Sequence, residues 1–193
     1  MREMRSTEDI DVNVESGARH ESGHIVIAAA RGLTLRAEGL MVDPFGWGLA
    51  CYYKDRDESD QSREQIIVAT LAGFAVEKRF REERSYPARD YMDVTLNRDN
   101  VEARTLLTRL AGNYASNEAS LNTRLQDLIG KHWLVIEALA ATLLSKDWEA
   151  LKPLKSGGKW SHENASTAKY VTGEEAVRIL AQHRIAAVFD PRH

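Results

Sequence analysis

Cysteine occurs once in this 193-residue sequence, at Cys51. No disulfide can form within the chain, so a disulfide-stapled scaffold is excluded and a reducing compartment is expected. Positive charge is not in excess. The 26 lysines and arginines stand against 29 acidic residues, a net charge of −3. That leaves no basic patch to call for nucleic acid or an anionic membrane. Long apolar runs are missing too. The longest is Ile25 to Ala30, far short of the roughly 20 residues that span a bilayer. The opening residues, MREMRSTEDIDVNVE, lack the apolar core of a signal peptide. There is no internal repeat and no low-complexity tract. A phosphate-binding loop is absent as well, because Ser156-Gly157-Gly158-Lys159 lacks the glycine spacing and the flanking strand of G-x-x-x-x-G-K-[ST]. The expectation is a soluble, cytoplasmic protein with no nucleic-acid and no membrane partner.

What is present is enough for one domain. A hydrophobic share of 43% and a charged share of 28% are ordinary for a globular chain with a sizeable core. Residues 1–13 read as a loose polar arm. Ser16 is placed to cap a helix running to about Arg31, with Gly32 as its stop. Residues 33–54 read as a hairpin around the turn Asp43-Pro44-Phe45-Gly46, with Leu49 to Tyr53 as its second strand. Ser62 and Gln65 form a capping box ahead of a helix of about 20 residues that ends near Phe80. A further helix begins between Asp93 and Asp99, and a long one runs from about Glu118 to Trp148, with Trp133 and Trp148 at core-like positions. Residues 155–170 read as a flexible link. Thr172 and Glu175 then cap a last short helix ending near His183. The expected fold class is mainly α with a small β-hairpin or sheet next to the site, an α+β domain. Within it a zincin-like H-E-x-x-H helix sits in a helical bundle.

That helix carries the chemistry. Its residues His20-Glu21-Ser22-Gly23-His24 form an H-E-x-x-H motif. Residues four apart share one helix face, so both imidazoles can converge on one ion, and zinc takes imidazole nitrogen readily. Glu21 projects beside the first ligand, from where it can take a proton from metal-bound water. With six histidines in the chain, chance supplies roughly 0.016 such motifs, and helical context is what makes one informative. The bland alternative is an ordinary helix with two surface histidines. A catalytic zinc also needs a third protein ligand and one open position. His132, His162, His183 and His193 are available but lie in no motif, while Asp90, Asp93 and Asp99 cluster after the long helix.

Four blocks together resemble the peptidase domain of the FtsH family of membrane-anchored AAA proteases. They are HESGHIVIAAARG, GLMVDPFGWGLACYY at 39–53, LAGFAVEKRF at 71–80, and Asp99-Asn100-Val101-Glu102-Ala103. Their order and spacing agree with the family over residues 15–110, and a Thr-Gly-Glu-Glu-Ala block follows at 172–176. The resemblance implies that Asp99 is the third zinc ligand, with Asp93 as an alternative register. It implies that the strand holding Gly48, Leu49, Ala50 and Cys51 is an edge that binds extended substrate by β-addition. Glu77 is either a partner that orients a ligand histidine from behind or one half of an ordinary surface salt bridge. The family's ATPase module and membrane anchor have no counterpart here. The expectation is therefore a zinc metallopeptidase, independent of ATP, that cleaves short or already unfolded polypeptides or works with a separate ATPase or unfoldase. Two alternatives stand beside it. One is a non-catalytic peptide-binding or regulatory module that keeps the peptidase fold. The other is a repressor-cleaving H-E-x-x-H peptidase of another family.

Overall fold

The computed structural model describes residues 7–54, 59–87, 98–152 and 164–191. Helix α1 (Thr7–Ala30) is its axis. From Ile25 to Ala29 every side chain is essentially sealed from solvent, and so are Ala18 and Ser22. A helix buried on nearly all sides needs no polar stripe, which is why its apolar residues run consecutively rather than at helical spacing. Each large side chain sealed here, such as Ile25 or Ile27, contributes roughly 1.5–3 kcal/mol relative to exposure. The helix stops as the sequence predicts. Gly32 adopts φ +76°, Leu33 N–H donates to Ala28 O and Gly32 N–H to Ala29 O, the paired bonds of a glycine-terminated helix.

Its start differs from the expectation. The helix begins at Thr7 and takes in half of the supposed loose arm. Ser16 is not a cap but a fully buried residue in mid-helix, whose hydroxyl donates to Glu77. Tertiary contacts of Asn13 and Val14 hold this extra length.

The hairpin is present as β1 (Leu35–Val42) and β2 (Gly48–Tyr52), paired antiparallel. Asp43 makes its turn: the carboxylate accepts from the N–H of Phe45 and of Trp47, and Gly46 takes φ +77°. Helix α2 (Asp60–Glu83) starts about one turn before the expected capping box. Ser59 is its cap and accepts from Ser62 N–H, while Ser62 itself is buried inside the helix. Helix α3 (Arg98–Leu107) follows, then α4 (Tyr114–Ser145), capped by Asn113. Trp148 therefore lies beyond α4 and is 43% exposed. It is not a core residue as expected, and Lys169 stacks over its ring instead. Trp133 is half-buried against the core and under Arg79.

After α4 come β3 (Glu149–Ala150), β4 (Thr167–Val171), α5 (Gly173–Gln182) and β5 (Phe189–Asp190). Strand β4 takes residues 167–170 out of the link expected over 155–170, while 155–163 lie outside the described residues. Its buried Ala168 and Val171 and the bonding edge offered by β1 draw that segment into the sheet. The cap of α5 is as expected, with Thr172 accepting from Glu175 N–H. The sheet order is β2-β1-β4-β3, with β5 also pairing β1. The fold is thus mainly helical with a small, largely antiparallel sheet, and β2 is an edge strand among the described residues. Helices α2 and α4 both pack on α1. By length and composition α4 could cross a membrane. Here its Leu121, Leu125, Ile129, Ile136 and Leu139 are buried in the core.

Candidate metal centre

Two helices cross where the motif lies, and glycine makes the crossing close. A Cβ on Gly73 of α2 would fall 2.4 Å from His24 Nε2 and 2.6 Å from His20 Nε2. A Cβ on Gly23 would fall 2.9 Å from Val76 Cγ2. Glycine inside a helix costs about 1 kcal/mol relative to alanine. Here it lets both imidazoles lie directly on the backbone of α2.

Each imidazole is held from behind. His24 Nδ1–H donates to Ala69 O at 2.8 Å. His20 Nδ1–H donates to Glu77 Oε2 at 3.0 Å. A carbonyl and a carboxylate can only accept, so each Nδ1 carries a proton, and it is Nε2 of each ring that faces forward, as a lone pair whenever that ring is neutral. Those two Nε2 atoms face one another at 3.1 Å. The Asp99 carboxylate from the start of α3 closes the triangle, with Oδ2 at 3.3 Å from His20 Nε2 and 3.2 Å from His24 Nε2. Of the aspartates considered from the sequence, Asp99 is the one the structure places at the histidines; Asp90 and Asp93 lie outside the described residues. His132 and His183 are in α4 and just after α5, apart from this group. His162 and His193 also lie outside the described residues.

Three electron-rich atoms at this spacing repel unless a cation joins them. Tetrahedral zinc with ligands at 2.0–2.1 Å sets its donors about 3.3 Å apart, which the observed 3.1–3.3 Å edges match. The donor set also fits zinc chemically, two imidazoles and one carboxylate. The local field favours positive charge even for a proton. Burial alone would lower the His20 pKa, but hydrogen bonds to Asp99 and Glu77 raise it well above its ordinary value. Burial likewise works against the Asp99 charge, yet His24 and His20 hold that carboxyl well below the usual carboxylate range.

Behind His20 lies a network that the sequence reading missed except for Glu77. Glu77 is completely buried. Its Oε1 accepts from Ser16 Oγ at 2.8 Å and from Arg81 Nε at 3.3 Å. Arg81 Nε also donates to Ser16 Oγ, Nη2 to Asn13 Oδ1 and Nη1 to Pro87 O. The available signal was a charged pair, Glu77 and Arg81, at i and i+4 just past the apolar run of α2, masked by the further charges of Lys78, Arg79, Glu82 and Glu83 around it. Gly73 in a helix interior was another.

Glu21 leaves α1 beside His20 and is 6% exposed. Burial pushes its pKa up to about 6, against the opposing pull of His20 and His24. Its carboxylate has no hydrogen-bond partner among the described residues. Strand β2 comes closest at Gly48, where a Cβ would fall 2.5 Å from Glu21 Cγ and 2.4 Å from Met41 O. The edge strand expected from the sequence thus starts against the expected base. Leu49, Ala50 and Cys51 continue it, half-buried. Cys51 is not part of the His20–His24–Asp99 group, and burial pushes its thiol up to about 12.

No model of a known protein family and no curated protein matches this chain.

Proposed function

We propose that this chain is a zinc-dependent peptidase, with His20, His24 and Asp99 as the metal ligands and Glu21 as general base. The observation that carries the reading is the triangle of two lone-pair nitrogens and a carboxylate oxygen at 3.1–3.3 Å, with an unengaged buried carboxylate next to it. A zinc ion held there supplies a Lewis acid for the scissile carbonyl and lowers the pKa of water. The remaining work falls to the chain itself. Glu21 takes a proton from the attacking water onto its carboxylate and passes it to the leaving amine nitrogen. Its pKa of about 6 leaves it ionised, hence a base, at neutral pH. Glu77 keeps His20 in the tautomer that offers Nε2. The free edge of β2 aligns an extended substrate backbone beside Glu21 by β-addition. The four sequence blocks that resemble FtsH-family peptidase domains support the same assignment. The zincin-like identity of the fold belongs to this proposal, as do short or unfolded polypeptides as substrates, a separate unfoldase as partner and a cytoplasmic setting.

A second reading has its own support. His20 and Asp99 are at hydrogen-bond distance, so a protonated His20 can satisfy the cluster without an ion. A metal-free peptide-binding module would then remain. The two readings separate in one experiment with an unfolded protein such as reduced, alkylated casein. Zinc-loaded wild type should cleave it, and E21Q should keep zinc while cleaving at least about 10²-fold more slowly. Zinc-loaded wild type that cleaves neither casein nor a peptide library overturns the enzyme reading.

A further inference from the structure

The hairpin rests on α1 at two points, and a glycine stands at each. At the first, Gly17 of α1 meets the turn: a Cβ there would fall 2.3 Å from Gly46 O and 2.9 Å from Gly46 C. At the second, Gly48 of β2 meets the side chain of Glu21: a Cβ would fall 2.5 Å from Glu21 Cγ and 2.9 Å from Oε1. Gly17 and Glu21 are four residues apart, so they share one face of α1. Glycine weakens a helix or a strand, and in a strand it marks the close approach of another group. Here the backbone of residues 46–48 lies along the Gly17–Glu21 face.

The groups at these contacts differ in how far they can give. Gly46 belongs to a turn held by Asp43: Gly46 N–H donates to Asp43 O, and the Asp43 carboxylate accepts from Phe45 and Trp47 N–H. Gly48 also faces Met41 O of β1, 2.4 Å from the same Cβ position. Both of those neighbours are backbone. Glu21 alone offers a flexible side chain, so its stem is what the strand confines. The two histidines are aimed by hydrogen bonds through Nδ1. The Glu21 carboxylate has no hydrogen bond among the described residues, so packing is left to aim it.

We propose that Gly48 is a positioning residue for Glu21: its bare backbone confines the Glu21 stem beside the metal ligands, and Gly17 sets the height of the hairpin that does so. The inference rests on Glu21 being the general base of the proposed reaction. A reacting group misplaced by about 1 Å can lose about 10²-fold in rate, which is the scale on which one added methyl group matters here.

The test uses the full chain, zinc-loaded, with a casein-derived peptide as substrate. G17A lifts the hairpin from α1, and kcat should fall about 10–100-fold while KM and bound zinc stay unchanged. The contact itself is read without catalysis, by chemical denaturation. G48A sets a methyl group against both Met41 O and Glu21 Cγ, and E21A removes the second obstacle only. E21A should therefore raise the midpoint of G48A by more than it changes that of wild type, or restore a fold that G48A has lost. Midpoint shifts that simply add overturn the proposal. So does G17A with an unchanged kcat per folded chain, the result of a purely structural glycine. If neither G48A nor the double variant folds, G17A decides alone. A wild type that cleaves nothing is a different failure: it removes the base, while the midpoints still decide whether Gly48 confines Glu21.

Discussion

The two sides of the proposed metal centre are built differently. The α1–α2 side is sealed and fully bonded: His20 and His24 rest on Gly73, each ring is tied through Nδ1, and Glu77, Arg81, Ser16 and Asn13 form a buried chain behind them. The α3 side supplies the proposed third ligand from a ten-residue helix. There the Asp99 side chain is 25% exposed. Helix α3 is anchored by Ala103 and Leu107 in the core and by the Lys54–Glu102 pair at the end of the hairpin. A rigid pair of nitrogens is thus met by a carboxylate on a more lightly held element. Structural stability and metal affinity should accordingly be coupled on one side and separable on the other.

The strongest way to break this comparison is G73A. Its methyl group would occupy the space of both Nε2 atoms, so zinc binding measured by calorimetry should be eliminated and the chemical-denaturation midpoint should fall with it. R81L removes the cation from a buried pair, and chemical denaturation should show a loss of about 3–5 kcal/mol. D99N, on the less sealed side, should cost less folding stability than R81L yet still weaken zinc. Equal destabilisation by R81L and D99N would erase the distinction. E77Q should lower zinc affinity about 10–100-fold, the usual effect of losing a carboxylate behind a ligand histidine. Smallest of all is E102Q, which breaks a surface pair between the hairpin and α3. It should cost about 0.2–1 kcal/mol, and the difference from wild type should shrink in high salt.

The same asymmetry explains what was legible in the sequence. The i, i+4 histidines with Glu21 between them obey a helical rule, so they could be read without a partner element. The hairpin turn at Asp43–Gly46, the stop at Gly32 and the cap at Thr172 were equally local. Asp99 came only through resemblance to a family, because nothing within α3 indicates which helix it faces. The Arg81 network and the role of Gly73 depend on how α1 crosses α2, a relation between residues about 50 to 70 positions apart. Ser16 and Ser62 misled for a related reason. Each fits a cap pattern, but burial against neighbouring elements continued the helix past it. Strand β4 was hidden because its pairing edge belongs to β1, far away in sequence.

The central claim is that His20, His24 and Asp99 together hold one metal ion. Its most direct test is zinc content per chain after exhaustive dialysis against a weak chelator. Wild type and E21Q should each retain one equivalent, and H20A, H24A and D99A should each lose it. Zinc retained at one equivalent by the H20A/H24A double variant, or by none of the proteins including wild type, would contradict the account.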